Sequence, residues 1–393
     1  MQTLAGIRVL DFGRFVAGPF CATMLADFGA DVVRIEKRSG SEDRYVAPIA
    51  PTGEGALYYQ VNRNKRSLTL DPAHPKAAEI IRRLVKTADI VIANVPADAL
   101  VTMGLDYPTL CASKPDIILV TASAFGSEGP YRNRLGFDAI GQVMSGAAYM
   151  TGEEGAPYRC AAPYVDFGTA LSLAFGAMAA LFDRQKTGKG QVVESSLLTT
   201  ALVFNSLNLV EQAALSVDRK PTGNRGQNAA PADIYPTKDG FVMIGVVGMP
   251  LFKRWAKLMG ESSWLDDPRF KDDLSRGKHG AIISERTRQW TSTLTTSEAL
   301  AQLAAAHIPA GPVYTPQQAI EDEHVTSTGL FVTPSEAVEG ISVPVLRNPV
   351  SLSRTDAQLR TQAPVLGLHN AEILAEIGYS PADIEEFAED GVI

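Results

Sequence analysis

Along the first 200 residues, short unbroken apolar runs alternate with stretches whose apolar residues recur every three or four positions. The first run, from Ile7 to Leu10, leads into Asp11 and a turn holding Gly13 and Gly18. An amphipathic helix follows, then a second apolar run that ends on Glu36. Arg66 to Asp71 predicts a third strand, residues 74–88 a helix, Asp89 to Val95 a fourth strand and Pro115 to Gly126 a fifth. Helices are predicted from about Phe137 and Tyr164, a strand over residues 191–198, and a long helix to about Ser216. Unbroken Val/Ile/Leu runs are what strands need when helices cover both faces of a parallel sheet. The fold class read from this pattern is α/β.

The pattern changes at Val217. The stretch to Gly240 is dense in Pro, Gly, Asn and charge, a linker signature. A strand is predicted over residues 241–248, then a smaller helical region that includes residues 248–260 and 283–307. Ile308 to Val325 reads as a second passage between domains, and residues 372–393 as two short amphipathic helices. The run from Ala170 to Phe182, rich in Gly, Ala and Ser, is too short to span a bilayer and reads as a buried helix.

Composition narrows the function classes. The net charge of −8 over 393 residues favours neither nucleic acid nor an anionic membrane as partner. Three dispersed cysteines exclude a disulfide scaffold and a cysteine zinc site, and fit buried thiols in a reducing, cytoplasmic setting. No basic segment followed by a long apolar stretch opens the chain, so a signal peptide is not expected.

The opening strand-turn-helix-strand has the layout of a dinucleotide site, but four residues separate Gly13 from Gly18, so G-x-G-x-x-G fails. The spacing fits a phosphate-binding loop, yet Pro19-Phe20 stand where Lys-Ser/Thr belong. Five scattered histidines support neither a metal site nor a Ser-His-Asp triad, and G-x-S-x-G is absent. Carboxylates are left. Asp166 is the only acid between Glu154 and Asp183, at the start of a small-residue helix whose positive end favours the ionised form. It reads either as a helix cap or as a nucleophile. Arg14, Lys37-Arg38, the Arg63–Arg66 cluster, Arg132 and Arg134 could serve a phosphorylated ligand, those at strand ends best.

Seven stretches, in order, resemble the family III CoA-transferases (the CaiB/BaiF family): "LAGIRVLDFGRFVAGPFCATMLADFGADVVRIEKR", "NRNKRSLTLD", "ADIVIAN", "SAFGSEGPYRNRLGFDAIGQ", "VDFGTA…FDRQKTGKGQVVESSL", "DDPRF" and "IPAGPVYTPQQAIED". The resemblance runs from about Leu4 to the C-terminal helices. It implies a Rossmann-like large domain with a parallel sheet built from both chain ends (residues 1–216 and 326–393). A linker and smaller α+β domain (217–325) are inserted between them, and two chains form an interlocked homodimer. It implies transfer of CoA from an acyl-CoA to a carboxylate acceptor, with coenzyme A as substrate, no permanently bound cofactor and no metal.

The family's catalytic aspartate falls on Asp166, which the resemblance makes the carrier of a β-aspartyl-CoA thioester, with nearby backbone N–H groups and the glycine turns as oxyanion donors. Arg14, Phe15, Val16 and Ala17 match its CoA-contacting turn, Lys37 and Arg38 its basic pair, and Asn94 the residue after the fourth strand. Lys65 is expected near the phosphates, and Phe125 and Gly126 against CoA. The acceptor pocket is expected around Phe125–Gly129, Tyr131, Phe137 and residues 223–231, with Arg225 solvated in the linker or holding a second carboxylate. Val95, Ala97, Thr102 and Leu368 depart from the family pattern. Two rival readings are a 2-methylacyl-CoA racemase, whose proton-carrying His is replaced here by Phe137, and a non-catalytic CoA-binding protein.

Overall fold

The computed structural model describes residues 2–334 and 342–393. Its first half alternates β1 (Arg8–Asp11), α1 (Ala17–Asp27), β2 (Asp31–Glu36), α2 (Ala56–Asn62), β3 (Lys65–Thr69), α3 (Ala77–Thr87), β4 (Ile90–Ala93), α4 (Ala97–Thr102), α5 (Tyr107–Ser113) and β5 (Ile118–Ser123). Then come α6 (Asp138–Met144), α7 (Ala147–Thr151), α8 (Tyr164–Thr187), β6 (Val192–Ser196), α9 (Leu197–Phe204) and α10 (Ser206–Leu215). The six strands form one parallel sheet in the order β3-β2-β1-β4-β5-β6. The order reverses between β1 and β4, the point at which open α/β sheets hold ligands beyond their strand ends.

Both sheet faces are apolar, and the strand pleat divides the residues between them. Val9, Val32, Ile90, Ile92, Ile118 and Val120 pack with α1 and α8. Leu10, Val33, Leu68, Val91 and Leu119 pack with α3 and with the C-terminal helices α17 (Asn370–Glu376) and α18 (Pro381–Glu389). Every residue of α1 is buried, so it reads apolar all round, whereas α3 buries Ala77, Ile80, Ile81, Leu84 and Val85 at helical spacing.

The chain divides into two compact units. The first takes Met1–Ser145, Cys160–Val210 and Thr328–Ile393, so both chain ends contribute to it. At its β3 edge the side chains of His369 and Asn370 accept the backbone N–H groups of Ser67 and Thr69, closing an otherwise open sheet edge. Of the expected return segment 326–393, residues 335–341 lie outside the described residues; β10 (Phe331–Val332) and β11 (Val345–Leu346) pair antiparallel across them.

The second unit takes Gly146–Arg159 and Glu211–Ser327. It has a three-stranded antiparallel sheet of β7 (Ala232–Pro236), β8 (Phe241–Gly245) and β9 (Ala310–Pro312). Around it are α11 (Met249–Met259), α12 (Asp273–Lys278), α13 (Gly280–Thr291), α14 (Thr296–Ala305), α15 (Pro316–Glu321) and α16 (Glu323–Ser327). Its core gathers Tyr235, Val242, Ile244, Phe252, Trp255 and Phe270.

Several expectations change. The long helix to Ser216 is two helices, broken at Asn205, whose side chain bonds the Ser145 carbonyl. Residues 232–236 form a strand inside the expected linker, with Asp233 and Tyr235 turned inward. Gly146–Arg159, expected with the first unit, groups with the second. Cys160 is exposed rather than buried. The helix expected to be buried is longer than predicted and buried on one face only, leaving Phe175 78% and Phe182 61% exposed. Among the described residues it is the one helix long and apolar enough to cross a membrane by length and composition, with half of that window buried.

Candidate active site

The turn after β1 is built by close packing. A Cβ on Gly13 would lie 2.7 Å from an Asp11 carboxylate oxygen, and one on Gly18 would lie 2.9 Å from both Asn94 Oδ1 and the Gly13 Cα. The two glycines are spaced to pack against each other, which is why no nucleotide fingerprint fits. Pro19 sits in the first turn of α1, where its missing N–H costs little. Asn94, just after β4, accepts the Arg14 N–H at 2.6 Å and donates to the Arg14 carbonyl at 2.8 Å. This clasp holds Phe15 at φ +58°, a left-handed conformation that costs a non-glycine residue about 1–3 kcal/mol.

Beneath the turn lies a buried charge cluster. Asp11 accepts the Gly13 N–H at 2.8 Å and the Lys65 ammonium at 2.7 Å. Lys65 donates its other protons to the Pro19 carbonyl and Asn62 Oδ1. All three donors are consumed inside the fold, so Lys65, expected near the phosphates, has none left for a ligand. Val16 and Ala17 likewise bury their side chains in the core, leaving only backbone for a ligand.

Arg14 and Lys37 line a cavity of about 80 Å³ at the carboxyl ends of β1, β2 and β3, walled by Phe12, Ile35, Leu70, Val95 and Met103. Both cations turn to Glu42, Lys37 at 2.6 Å and Arg14 at 4.0 Å. Arg38 donates to the Ile393 carbonyl. An apolar slot rimmed by exposed cations suits a flat heterocycle carrying phosphates. Leu70, just past β3, and Met103, at the end of α4, went unmarked in the sequence because single apolar residues at element ends carry no pattern.

The same turn reaches toward Asp166. Phe15 meets Phe137 edge-on, with ring centroids 5.3 Å apart, and Phe137 directly precedes Asp138. Asp138 is buried, and its Oδ2 accepts the N–H groups of Val165 and Asp166 at 2.8 and 3.0 Å. Its other oxygen accepts from Gln142, whose own carbonyl oxygen accepts the Cys160 N–H at 2.8 Å.

The cap of α8 is therefore supplied by Asp138 from another helix, not by Asp166. Asp166 is half-buried, and no hydrogen bond reaches its carboxylate among the described residues. Burial, with the Asp138 charge second, pushes its pKa up to about 7. The expectation that the helix end favours the ionised form is thus reversed, because the N–H groups that stabilise an anion there already serve Asp138. The same occupancy removes the Val165 and Asp166 N–H groups as oxyanion donors.

Phe125 and Gly126 lie past β5, away from the cavity. Phe125 packs edge-on against Tyr131, Gly126 donates to Ser123, and Ser127 is tied to Glu194. Arg225 is not solvated in a linker. It is half-buried in the second unit, lining a concavity of about 410 Å³ with Glu153, Asp233, Ser284 and Arg288.

The model of CoA-transferase family III matches residues 4–370. Succinate–glutarate CoA-transferase of Agrobacterium fabrum is 34% identical, the match covering 95% of each chain. Succinyl-CoA–D-citramalate CoA-transferase of Chloroflexus aurantiacus is 33% identical over 96% of this chain and 94% of the relative. A crystal structure of a CAIB/BAIF family protein from Brucella suis superposes with a TM-score of 0.84 at 31% identity, covering 96% of this chain and 99% of that one. With a family model spanning most of the sequence and enzymes of one activity along nearly its full length, the chain belongs to the family III CoA-transferases.

Proposed function

We propose that the chain moves CoA from an acyl-CoA to a carboxylic acid through a covalent thioester on Asp166. The observation that carries this reading is the Asp166 carboxylate itself, half-buried, made more basic by burial and, among the described residues, without a hydrogen-bond partner. A structural cap would be hydrogen-bonded, and Asp138 already fills that role. The turn from Arg14 to Phe15 runs between the apolar cavity and the Asp138–Asp166 pair, which fits an extended ligand with a nucleotide at one end and a thioester at the other.

In the first step an Asp166 oxygen attacks the donor acyl carbon, the C–S bond breaks, and CoA leaves as thiolate. The thiolate attacks the Asp166 carbonyl of the mixed anhydride, and the departing electron pair releases the donor acid. The acceptor carboxylate then attacks the aspartyl thioester, expelling CoA thiolate once more. Thiolate attack on the acceptor's carbonyl completes acceptor-CoA and restores Asp166. Three covalent states, two mixed anhydrides and the thioester between them, replace one difficult exchange.

Racemisation needs a second proton carrier beside Asp166, and Phe137 supplies none. The relatives named for succinate, glutarate and D-citramalate point to dicarboxylic acids as donor and acceptor class. The exposed apolar side chains Phe175, Phe182, Val203, Leu207 and Val210 support a homodimer, interlocked as the family resemblance implies.

Native mass spectrometry tests the reading. After mixing with succinyl-CoA, the dimer is expected to gain one CoA less one water per subunit, mapped to Asp166 and absent in Asp166→Ala. Retained turnover in Asp166→Ala, or α-proton exchange without CoA transfer, overturns it.

A further inference from the structure

We infer that Asp138 is the positioning residue for Asp166: by taking the first N–H groups of α8 from a neighbouring helix, it keeps the Asp166 carboxylate uncommitted and available to a thioester. The inference rests on the proposed role of Asp166 as nucleophile.

The geometry is specific. An acid in the first turn of a helix ordinarily turns back onto the free N–H groups of that turn. Here two of those groups, on Val165 and Asp166, end on one oxygen of Asp138, 27 and 28 positions upstream. Gln142, itself buried, fixes the other oxygen of Asp138 and also the Cys160 N–H on the approach to α8. An acid with so many donors committed to it is held in one orientation. Asp166 has no donor to turn to, and it keeps the free lone pairs that attack requires.

The charge acts in the same direction. Burial is the larger cause of the raised Asp166 pKa, and Asp138 is the second and only charged one. The other elements packed on α8 offer little competition. The acid at the end of α1, Asp27, is bound to Arg63, and Glu194 on β6 is bound to Ser127. The strand β5 and the helix α9 carry no charged side chain. A more basic carboxylate is a better nucleophile once ionised, so capping and charge serve one end.

Two variants separate positioning from mere support. Asp138→Asn keeps an oxygen able to accept both N–H groups but removes the charge. The Asp166 carboxyl, followed by carbon-13 NMR in the resting enzyme, is expected to titrate about one pH unit or more lower in Asp138→Asn than in the parent. It should stay above the ordinary carboxylate range, because burial remains. In Asp138→Ala the N–H groups lose their acceptor and Asp166 turns back onto them. Adduct formation from succinyl-CoA is then expected to slow about 10- to 100-fold with KM changed less than about threefold.

An Asp166 titration unmoved in a folded Asp138→Asn overturns the inference, as does parental adduct formation in Asp138→Ala. The NMR titration needs no substrate. A parent enzyme that forms no adduct therefore refutes the transferase reading while leaving the Asp138–Asp166 coupling separately measured.

Discussion

Asp11 and Asp166 are both acids of the first unit, one at the carboxyl end of β1 and one at the start of α8, and their surroundings are opposite. Asp11 is fully buried with an ammonium on one oxygen and a backbone N–H on the other. Asp166 is half-buried, faces a like charge, and among the described residues has no donor on its carboxylate. A buried carboxylate with both oxygens hydrogen-bonded inside the fold stabilises one arrangement of the chain and is shut away from a substrate. One held beside another acid without donors costs stability and keeps its reactivity. Partners, more than burial, separate structure from chemistry here.

The contrast can be broken at either end. The largest effect is expected from Lys65→Met, which leaves Asp11 buried without its cation and should cost about 3–5 kcal/mol in denaturant unfolding. Because Lys65 has no free donor, KM for acyl-CoA in the surviving folded enzyme should stay at the parental value. A raised KM with stability unchanged would return Lys65 to the phosphates.

Asp166→Asn should move stability the other way. The folded pKa lies above that of the unfolded chain, so ionised Asp166 destabilises the fold, and the cost grows as pH rises from the ordinary carboxylate range to about 7. Above pH 7 the variant should gain about 1–2 kcal/mol, discounted for part exposure, while losing turnover. Below pH 4 the gain should vanish. Thermal melts at pH 4 and pH 8 check both halves.

The smallest effect belongs to the exposed rim. Replacing Lys37 and Arg38 together by Ala should raise KM for acyl-CoA about 3- to 10-fold with kcat unchanged, and the difference should narrow at high salt. Initial rates across a salt series measure it. A kcat defect would place these residues nearer the reacting atoms than the cavity rim.

Much of this arrangement was legible along the chain. Apolar runs marked β1, β2, β4 and β5, because strands covered on both faces need no alternation, whereas the edge strands β3 and β6 mix polar residues into theirs. Asp166 stood out as a lone acid in a small-residue stretch. Its environment was not legible, since Asp138 reaches it across 28 positions and no local spacing encodes a cap borrowed from another helix. Lys65 misled for a related reason: a lysine in a basic cluster reads as open to a phosphate unless its buried acid, 54 positions away, is known. The strand β7 hid among prolines and glycines because its inward residues, Asp233 and Tyr235, are not both apolar. The two glycines of the first turn signalled a tight approach correctly, but the approaching group is the chain itself.

The closure of the β3 edge by His369 and Asn370 sets a clock on synthesis. Ser67 and His369 are 302 positions apart. At about 5–20 residues per second the ribosome needs roughly 15–60 s to deliver the residues that seal that edge. Until they arrive the β3 edge lacks those partners, while the rest of the sheet and the second unit are being made. The nascent chain must therefore be sheltered longest at its earliest strands. Amounts of soluble enzyme in the cell should respond to chaperone supply more sharply than the stability of the finished fold suggests.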